Sequence, residues 1–208
     1  MFFPIPTELF FSKNDPQDPR LGEIFKNYDI EPTGSDYIIF GYPDDEGIKL
    51  NGGRPGAASA PNLIRQFLYK MTPPESYYLN KKNKFKFQDY GNIDIQSDLG
   101  TRHEIAKNTL FKFQKNSRLI TFGGGHDYGY SDGASFIKTY FSSTQKKPLI
   151  INFDAHLDVR PVTQSYNSGT PFYRLLTEFK DQFHLLEIGL QNQCNSLQHW
   201  RWAKEQGA

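Results

Sequence analysis

The sequence contains a single cysteine, Cys194, among its 208 residues. One cysteine excludes a disulfide bond within the chain and is typical of a protein in a reducing compartment. The absence of a cysteine cluster also argues against a structural zinc site. We therefore expect a cytoplasmic protein whose stability does not depend on a disulfide or on a cysteine-bound metal.

An excess of charge of one sign and long apolar runs are also missing. The formal net charge is +1, from 24 Lys and Arg against 23 Asp and Glu, which gives no support for nucleic-acid binding. The short basic run at residues 81–84 is interpreted as a solvated turn. No stretch approaches the length of a membrane span, and residues 1–6 are too short for a signal peptide. We expect neither nucleic acid nor a membrane as a partner.

Strands alternate with helices along the chain. We predict strands at residues 37–42, 85–90, 118–122, 148–153 and 183–190, and helices near residues 21–28, 59–70, 100–116, 135–140, 171–180 and 198–205. This alternation predicts an α/β fold, a three-layer α/β/α architecture with a mainly parallel sheet. No internal repeat or linker is visible, so we expect one domain over residues 1–208, with residues 1–35 as an amino-terminal arm. His103 is interpreted as a surface or capping residue.

Potential metal ligands follow the apolar segment at residues 148–153, which has the character of a buried parallel strand. Asp154, His156 and Asp158 begin where this run stops. In an extended strand the two aspartates would be about 13 Å apart, and in a helix His156 would face away from them. Only a curled loop lets all three side chains converge. A polar loop that caps the next helix is the alternative interpretation of this motif alone.

A second strand also ends in ligand-type residues. Residues 118–122 precede three glycines, and His126 and Asp127 follow the glycines. This glycine run is not a P-loop, because no Lys-Ser/Thr pair follows it. It is not a dinucleotide-binding fingerprint either, because the spacing of the glycines differs. Two strands ending in ligands, in an open parallel sheet, are expected of an active site at its carboxyl edge. Imidazoles together with carboxylates suit Mn²⁺ or a similar divalent ion.

Three motifs together resemble the ureohydrolase family of arginase, agmatinase and formimidoylglutamase. They are Gly-Arg-Pro-Gly-Ala-Ala-Ser-Ala-Pro-Asn-Leu-Ile-Arg at residues 53–65, Gly-Gly-Gly-His-Asp at residues 123–127, and Asn-Phe-Asp-Ala-His-Leu-Asp at residues 152–158. The resemblance covers the chain from about residue 36 onward, in the order of the family's motifs. It implies an arginase-like fold.

The resemblance also implies a site for two Mn²⁺ ions. His126 and Asp158 would hold one ion, His156 would hold the other, and Asp154 would bridge the two. The catalytic group would be the metal-bridging hydroxide, which attacks an amidine carbon and expels an amine, and no side chain is assigned a further catalytic role. Relatives in this family commonly form rings or larger homo-oligomers, so the resemblance implies that a homo-oligomer is to be expected.

The sequence departs from the family after Asp158. The family pattern has a later Ser-x-Asp-x-Asp segment that supplies a second bridge and another ligand, and nothing after Asp158 has that form. We therefore expect the amino-terminal two-thirds of the family domain, without its carboxyl-terminal strands. With four ligands, weak metal affinity and doubtful catalysis by this chain alone are expected. An exposed sheet edge that favours association is expected too.

The loop that follows the central motif suggests an acidic substrate. Arg160 and the segment at residues 168–172 look more like formimidoylglutamase than arginase, and the loop has no histidine. Arg160 would bind a substrate carboxylate in a bidentate pair. A salt bridge to a neighbouring acid is the alternative for Arg160. Asn167 and Ser168, and also Tyr166, are further candidates for substrate contact.

These residues favour a formimidoylglutamase-type hydrolase, which converts N-formimidoyl-L-glutamate and water to L-glutamate and formamide in histidine breakdown. One alternative is a guanidino-substrate hydrolase of the agmatinase or arginase type. Another is a non-catalytic fragment that acts as a binding or assembly partner.

Overall fold

The computed structural model describes residues 1–27, 34–79 and 85–208, and these form two compact units. The first unit contains Met1–Asp44, Gly56–Ser97 and Asn116–Gly124. The second contains Asp45–Pro55, Asp98–Lys115 and Gly125–Ala208. The chain passes between the units several times, which agrees with the absence of a linker in the sequence. One domain over residues 1–208 stays a prediction.

Regular elements lie close to their predicted positions. The strands are β1 (Phe2–Phe3), β2 (Lys26–Asn27), β3 (Tyr37–Gly41), β4 (Phe87–Ile93), β5 (Arg118–Phe122), β6 (Leu149–Phe153) and β7 (His184–Ile188). The helices are α1 (Leu21–Ile24), α2 (Glu46–Leu50), α3 (Ala60–Leu68), α4 (Glu75–Leu79), α5 (Leu99–Phe113), α6 (Gly129–Thr144), α7 (Pro171–Glu178) and α8 (Leu197–Gln206). The short helices α2 and α4 and the two-residue strands β1 and β2 were not predicted. The helix predicted near residues 21–28 ends at Ile24, and Lys26–Asn27 form β2 instead. Tyr28, placed in the first predicted helix, and the predicted turn at residues 81–84 lie outside the described residues.

The first unit is built on a sheet with β3 in its interior. β3 pairs in parallel with β4 and with β5, β2 pairs in parallel with β4, and β1 pairs antiparallel with β4. The middle of β3 is fully buried, as expected for a strand covered on both faces. Ile5 and Phe25 belong to a core cluster with Ile39. Much of the predicted amino-terminal arm is therefore packed into the sheet.

A buried ion pair lies in the core of the first unit. Arg65 on α3 contacts Asp89 on β4 through two hydrogen bonds, of 2.6 and 2.9 Å, and both side chains are fully buried. Arg65 also donates to Asn92 at 2.7 Å, and the Tyr69 hydroxyl donates to Asp89. A Cβ at Gly41 would lie 2.0 Å from the Asn92 side chain. Glycine is therefore required at this strand end.

The second unit joins a two-stranded parallel sheet to four of the longer helices. β6 pairs with β7 from Leu149↔His184 to Phe153↔Ile188. One face of this sheet packs on α6 and α7, where Leu185, Ile137 and Leu175 belong to one buried cluster. Helix α5 begins at an Asp98 cap whose side chain accepts from the Thr101 N–H at 3.0 Å.

The prediction of a buried strand at residues 148–153 is wrong for one of its faces. Leu149, Ile151 and Phe153 are 50%, 46% and 76% exposed, whereas Asn152 is buried. Strand side chains alternate between faces, and only the face with Ile150 and Asn152 is turned to the core. The other face is open to solvent. Among the described strands, β5 pairs with β3 alone and β6 pairs with β7 alone, so each lies at the edge of its sheet. Exposed sheet edges were expected from the sequence.

Four of the five strand pairings among the described residues are parallel, as predicted. None of the described helices has the length and hydropathy that a membrane crossing requires.

Candidate metal centre

The loop after β6 curls back at Asp154. The Oδ1 atom of Asp154 accepts a hydrogen bond from the backbone N–H of His156 at 2.9 Å. Asp158 has a φ of 47°, in the left-handed region that aspartate tolerates better than most residues other than glycine. These features turn the chain so that the two aspartate side chains approach one point. The curled loop that the sequence predicted is present.

His126 meets both aspartates. Its Nδ1 atom lies 2.7 Å from Asp158 Oδ2 and 3.2 Å from Asp154 Oδ2. One ligand atom from each of the three side chains falls within 4.8 Å of the others. The ring of Phe172 packs edge-on against the imidazole, with centroids 5.7 Å apart. The structure therefore brings together three of the four predicted metal ligands.

His156, the fourth predicted ligand, contacts the other oxygen of Asp154. Its Nδ1 atom lies 3.2 Å from Asp154 Oδ1, and its side chain is 51% exposed. Each oxygen of Asp154 thus faces a different imidazole, His126 through Oδ2 and His156 through Oδ1. This arrangement suits a carboxylate that bridges two ions with one oxygen on each. The assignment of His156 to a second ion stays a prediction.

The protonation of His126 is set by its acidic neighbours. Burial acts to lower the pKa of His126, but the hydrogen bond to Asp158 and the charges of Asp158 and Asp154 outweigh it, so the pKa is raised. The imidazolium and the two carboxylates form an ion-pair cluster. A metal ion must replace the proton on His126, because only the neutral ring nitrogen binds metals.

Glu187 and Asn152 form a polar pair across β6 and β7. Asn152 Nδ2 donates to Glu187 Oε2 at 2.7 Å. Glu187 Oε1 is buried and has no hydrogen-bond partner among the described residues. Burial raises the pKa of Glu187 to about 7; the Asn152 hydrogen bond opposes this shift, whereas the charges of Asp158 and Asp154 add to it. Neither residue was singled out from the sequence, although each is a polar residue inside a strand with several apolar residues.

A second polar network lies behind the metal centre, and it corrects the interpretation of His103 as a surface or capping residue. His103 is fully buried, and its Nε2 atom lies 2.7 Å from Asp127 Oδ2. Arg174 donates to His103 Nδ1 at 2.9 Å, and since arginine only donates, the His103 proton is on Nε2. The Arg174 guanidinium lies between the rings of Tyr130 and Tyr166, 3.3 and 3.6 Å from their centroids. This network fixes the residue next to His126.

Two of the predicted substrate-binding residues, Arg160 and Ser168, contact the same side chain, that of Asn51, which was not predicted to be part of the site. Arg160 donates to the side-chain oxygen of Asn51, and Asn51 Nδ2 donates to Ser168 Oγ at 3.0 Å. Asn51 therefore connects two of the four candidates, Arg160 and Ser168. Among the described residues, the partner of the exposed Arg160 guanidinium is an amide oxygen, and no carboxylate balances its charge. The salt-bridge alternative for Arg160 is therefore not found in the described part of the chain.

Asn167 has a local role in the same loop. Its Oδ1 atom accepts from the Gly169 N–H at 3.0 Å, and its backbone N–H donates to Thr170 Oγ1 at 3.1 Å. Both bonds close the turn that leads into α7. A contact between Asn167 and a substrate stays a prediction.

The donor set fits a divalent cation. Imidazole nitrogen and carboxylate oxygen are the ligands that Mn²⁺ and related ions take, and His126, Asp154 and Asp158 supply both kinds within 4.8 Å. The unpaired Oε1 of Glu187 adds a buried carboxylate oxygen whose charge acts on His126. A bound cation would neutralise this concentration of negative charge.

Residues 35–208 match the sequence profile of the Arginase family. The chain belongs to the arginase family. Among its arginase-family relatives, the formimidoylglutamase of Citrobacter koseri is 31% identical over 174 residues, which are 81% of this chain and 52% of that protein. The formimidoylglutamase of Staphylococcus carnosus is 33% identical over 174 residues, 81% of this chain and 51% of that protein. The chain spans about half the length of these two relatives.

The solved arginase-family structures agree with this assignment. A crystal structure of Trypanosoma cruzi formiminoglutamase with Mn²⁺ has a TM-score of 0.76 and 30% identity, over 91% of this chain and 64% of that one. These similarities confirm the predicted resemblance, with formimidoylglutamase as the member it is most like, and the α/β fold class of three α/β/α layers with a mainly parallel sheet.

The stability of this arginase-family chain should depend on pH through Glu187. The folded chain binds the Glu187 proton with a pKa of about 7, against an ordinary value of 4.5. The carboxyl therefore stabilises the fold below about pH 4.5, and this contribution is lost as pH rises through 7. We expect Glu187→Gln to raise the free energy of unfolding by about 1 to 2 kcal/mol at pH 8, after allowance for partial exposure, and to change it little at pH 4.5.

Chemical unfolding with a chelator present, at both pH values, measures this difference. The exposed Glu205→Gln on α8 is the matched control and should change neither value. If Glu187→Gln is no more stable than the parent chain at pH 8, the raised pKa is contradicted.

Proposed function

We propose that this chain carries the metal-binding part of a formimidoylglutamase-type hydrolase. The reaction converts N-formimidoyl-L-glutamate and water to L-glutamate and formamide, as a step of histidine degradation. The observation that carries the proposal is the convergence of His126, Asp154 and Asp158 within 4.8 Å, in a chain similar to formimidoylglutamases.

Mn²⁺ is the metal we propose, since the Trypanosoma cruzi relative was solved with it. His126 and Asp158 would hold one ion, His156 a second, and Asp154 would bridge. When bound, the metal supplies a Lewis acid that activates water for attack on an amidine carbon.

The side chains of the loop orient one another for this role. The N–H of His156 holds Asp154 Oδ1, which leaves Asp154 Oδ2 facing His126. Phe172 packs against the His126 ring and limits its rotation. On the other side, Asp127 is held by His103, which fixes the backbone beside His126. The site is therefore positioned by hydrogen bonds and packing before a metal or a substrate arrives.

Arg160 is the proposed determinant of an acidic substrate. Its guanidinium is exposed and bonded to Asn51, which is neutral, so its charge remains to attract a carboxylate. Arg and a carboxylate form strong, bidentate hydrogen bonds. N-formimidoyl-L-glutamate has two carboxylates, whereas agmatine has none and is cationic. Ser168 is connected to Arg160 through Asn51.

Product analysis tests the function directly. The Mn²⁺-loaded chain is incubated separately with N-formimidoyl-L-glutamate, agmatine and arginine, and formamide, L-glutamate and urea are measured. Because the chain supplies four of the metal ligands, we expect slow turnover, with equal amounts of formamide and L-glutamate from the first substrate and no urea from the others. Urea release without formamide would favour a guanidino-substrate hydrolase. No product with any substrate would favour a non-catalytic binding or assembly partner.

Arg160→Ala should weaken binding of N-formimidoyl-L-glutamate by about 10- to 100-fold, because a charge-assisted pair with a carboxylate is lost. Binding of agmatine should weaken less or improve, since a repelling positive charge is removed. Isothermal titration of both ligands to the Mn²⁺-loaded chain measures this selectivity. Arg201→Ala, an exposed arginine on α8, is the control. Equal losses for both ligands would remove Arg160 as the determinant of substrate charge.

We also propose a cytoplasmic, homo-oligomeric protein. The single and exposed Cys194 suits a reducing compartment. The uncovered apolar face with Ile151 and Phe153 is a surface on which subunits would gain stability by association. Light scattering over a range of protein concentrations tests the oligomeric state.

A further inference from the structure

We propose that Glu187 is an additional carboxylate ligand of the metal centre formed by His126, Asp154 and Asp158. This inference rests on the proposed function, because it assumes that these three side chains hold a divalent cation. It adds a ligand from a different strand, which none of the three sequence motifs contains.

Strand pairing places Glu187 on the side of the sheet where the metal centre lies. In the parallel pair of β6 and β7, Asn152 is the partner of Glu187, and the two side chains are hydrogen-bonded. Asp154 follows Asn152 by two residues, so it continues along the same face about 7 Å further on. The Asp154 N–H donates to the Ile188 carbonyl at 3.0 Å, which keeps the loop beside the end of β7.

The carboxyl group of Glu187 has an oxygen to give to a cation. Asn152 occupies only Oε2, at 2.7 Å, and Oε1 is buried without a hydrogen-bond partner in the part of the chain that the structure describes. A buried polar atom without a partner costs free energy, and a metal ion would supply the partner that the protein does not. Asn152 would then act as a positioning residue that holds the carboxylate in one orientation.

Charge supports the same assignment. The charge of Glu187 acts on His126, and the charges of His126, Asp154 and Asp158 act on Glu187. The three carboxylates outnumber the one imidazole among them, so a bound cation would reduce their mutual repulsion. Four acidic residues follow Asp158 in the sequence, and Glu187 is the one whose charge acts on the predicted metal ligands.

The inference is tested by titrating the 208-residue chain with Mn²⁺. Binding is measured by isothermal calorimetry and by the electron paramagnetic resonance signal of free Mn²⁺. Glu187→Gln removes the charge and keeps the shape, whereas Glu187→Asp keeps the charge and withdraws the carboxylate by one methylene. If Glu187 is a ligand, both variants should bind Mn²⁺ at least tenfold more weakly, and Glu205→Gln should bind like the parent chain. Circular dichroism confirms that each variant is folded.

The possible results separate this inference from the proposed function. If the parent chain binds Mn²⁺ and Glu187→Gln binds it with an affinity within twofold of the parent, the ligand role is overturned and the proposed function stands. Glu187→Asp with parental affinity, when Glu187→Gln is weak, shows an effect of charge at a distance and overturns ligation. No Mn²⁺ uptake by the folded parent chain overturns the proposed function and the inference together.

Discussion

Asp154→Asn should weaken Mn²⁺ binding by about 100-fold or more, the largest effect expected of a single substitution in the metal centre. The two oxygens of Asp154 face two imidazoles, His126 and His156, so its charge serves both proposed ion positions. Loss of an outer hydrogen-bond partner of a ligand already costs 10- to 100-fold, and loss of a shared ligand should cost more. Calorimetric titration with Mn²⁺ measures the change.

The asparagine variant isolates the role of charge. It keeps an Oδ1 atom that accepts the His156 N–H, so the curl of the loop should survive. Asp181→Asn, at an exposed position in the same unit, is the matched control and should bind Mn²⁺ like the parent chain. Parental Mn²⁺ affinity in the Asp154→Asn chain would show that the cluster of His126, Asp154 and Asp158 is an ion-pair network without a metal role.

The cluster of candidate metal ligands could be predicted from the sequence because its members are determined locally. Asp154 and Asp158 lie on one loop, and the spacing of the loop residues restricts their geometry. His126 follows a strand end, where ligands in parallel sheets gather. Glu187 could not be found in this way, because its position depends on the register between β6 and β7. That register pairs it with Asn152, and one sequence gives no direct information on pairing.

His103 shows a different limit. A helix was predicted near residues 100–116, and His103 was placed at its surface or cap. The buried side of α5 instead contains Leu99, Arg102, His103, Ala106 and Leu110. This side includes charged and polar residues that are buried because they have partners, such as Asp127 for His103. Hydrophobic periodicity cannot identify a buried side on which polar residues are paired across the fold.

The exposure of β6 could not be predicted either. A continuous apolar run is typical of a strand covered on both faces, and Ile151 and Phe153 are exposed because one face of the β6 and β7 sheet is uncovered. The sequence of the strand determines what it is able to bury, and the neighbouring elements determine what it does bury.

The second large effect concerns the stability of the first unit. Asp89→Ala should lower the free energy of unfolding by about 3 to 5 kcal/mol, because it leaves the Arg65 guanidinium buried without a carboxylate. Both side chains are fully buried, and the Tyr69 hydroxyl loses its acceptor as well. Urea unfolding of the full chain, followed by circular dichroism, measures the loss.

Two further variants separate charge burial from packing in this unit. The double variant Arg65→Met with Asp89→Leu removes both charges and keeps much of the volume, so it should be more stable than Asp89→Ala. Asp18→Ala, in an exposed pair with Lys13, should have no measurable effect. A double variant no more stable than Asp89→Ala would mean that the geometry around Asn92 and Gly91, which Arg65 also holds, matters more than the unpaired charge. Since Asp89 lies in the first unit and the metal ligands in the second, Mn²⁺ affinity measured below the unfolding transition should stay unchanged.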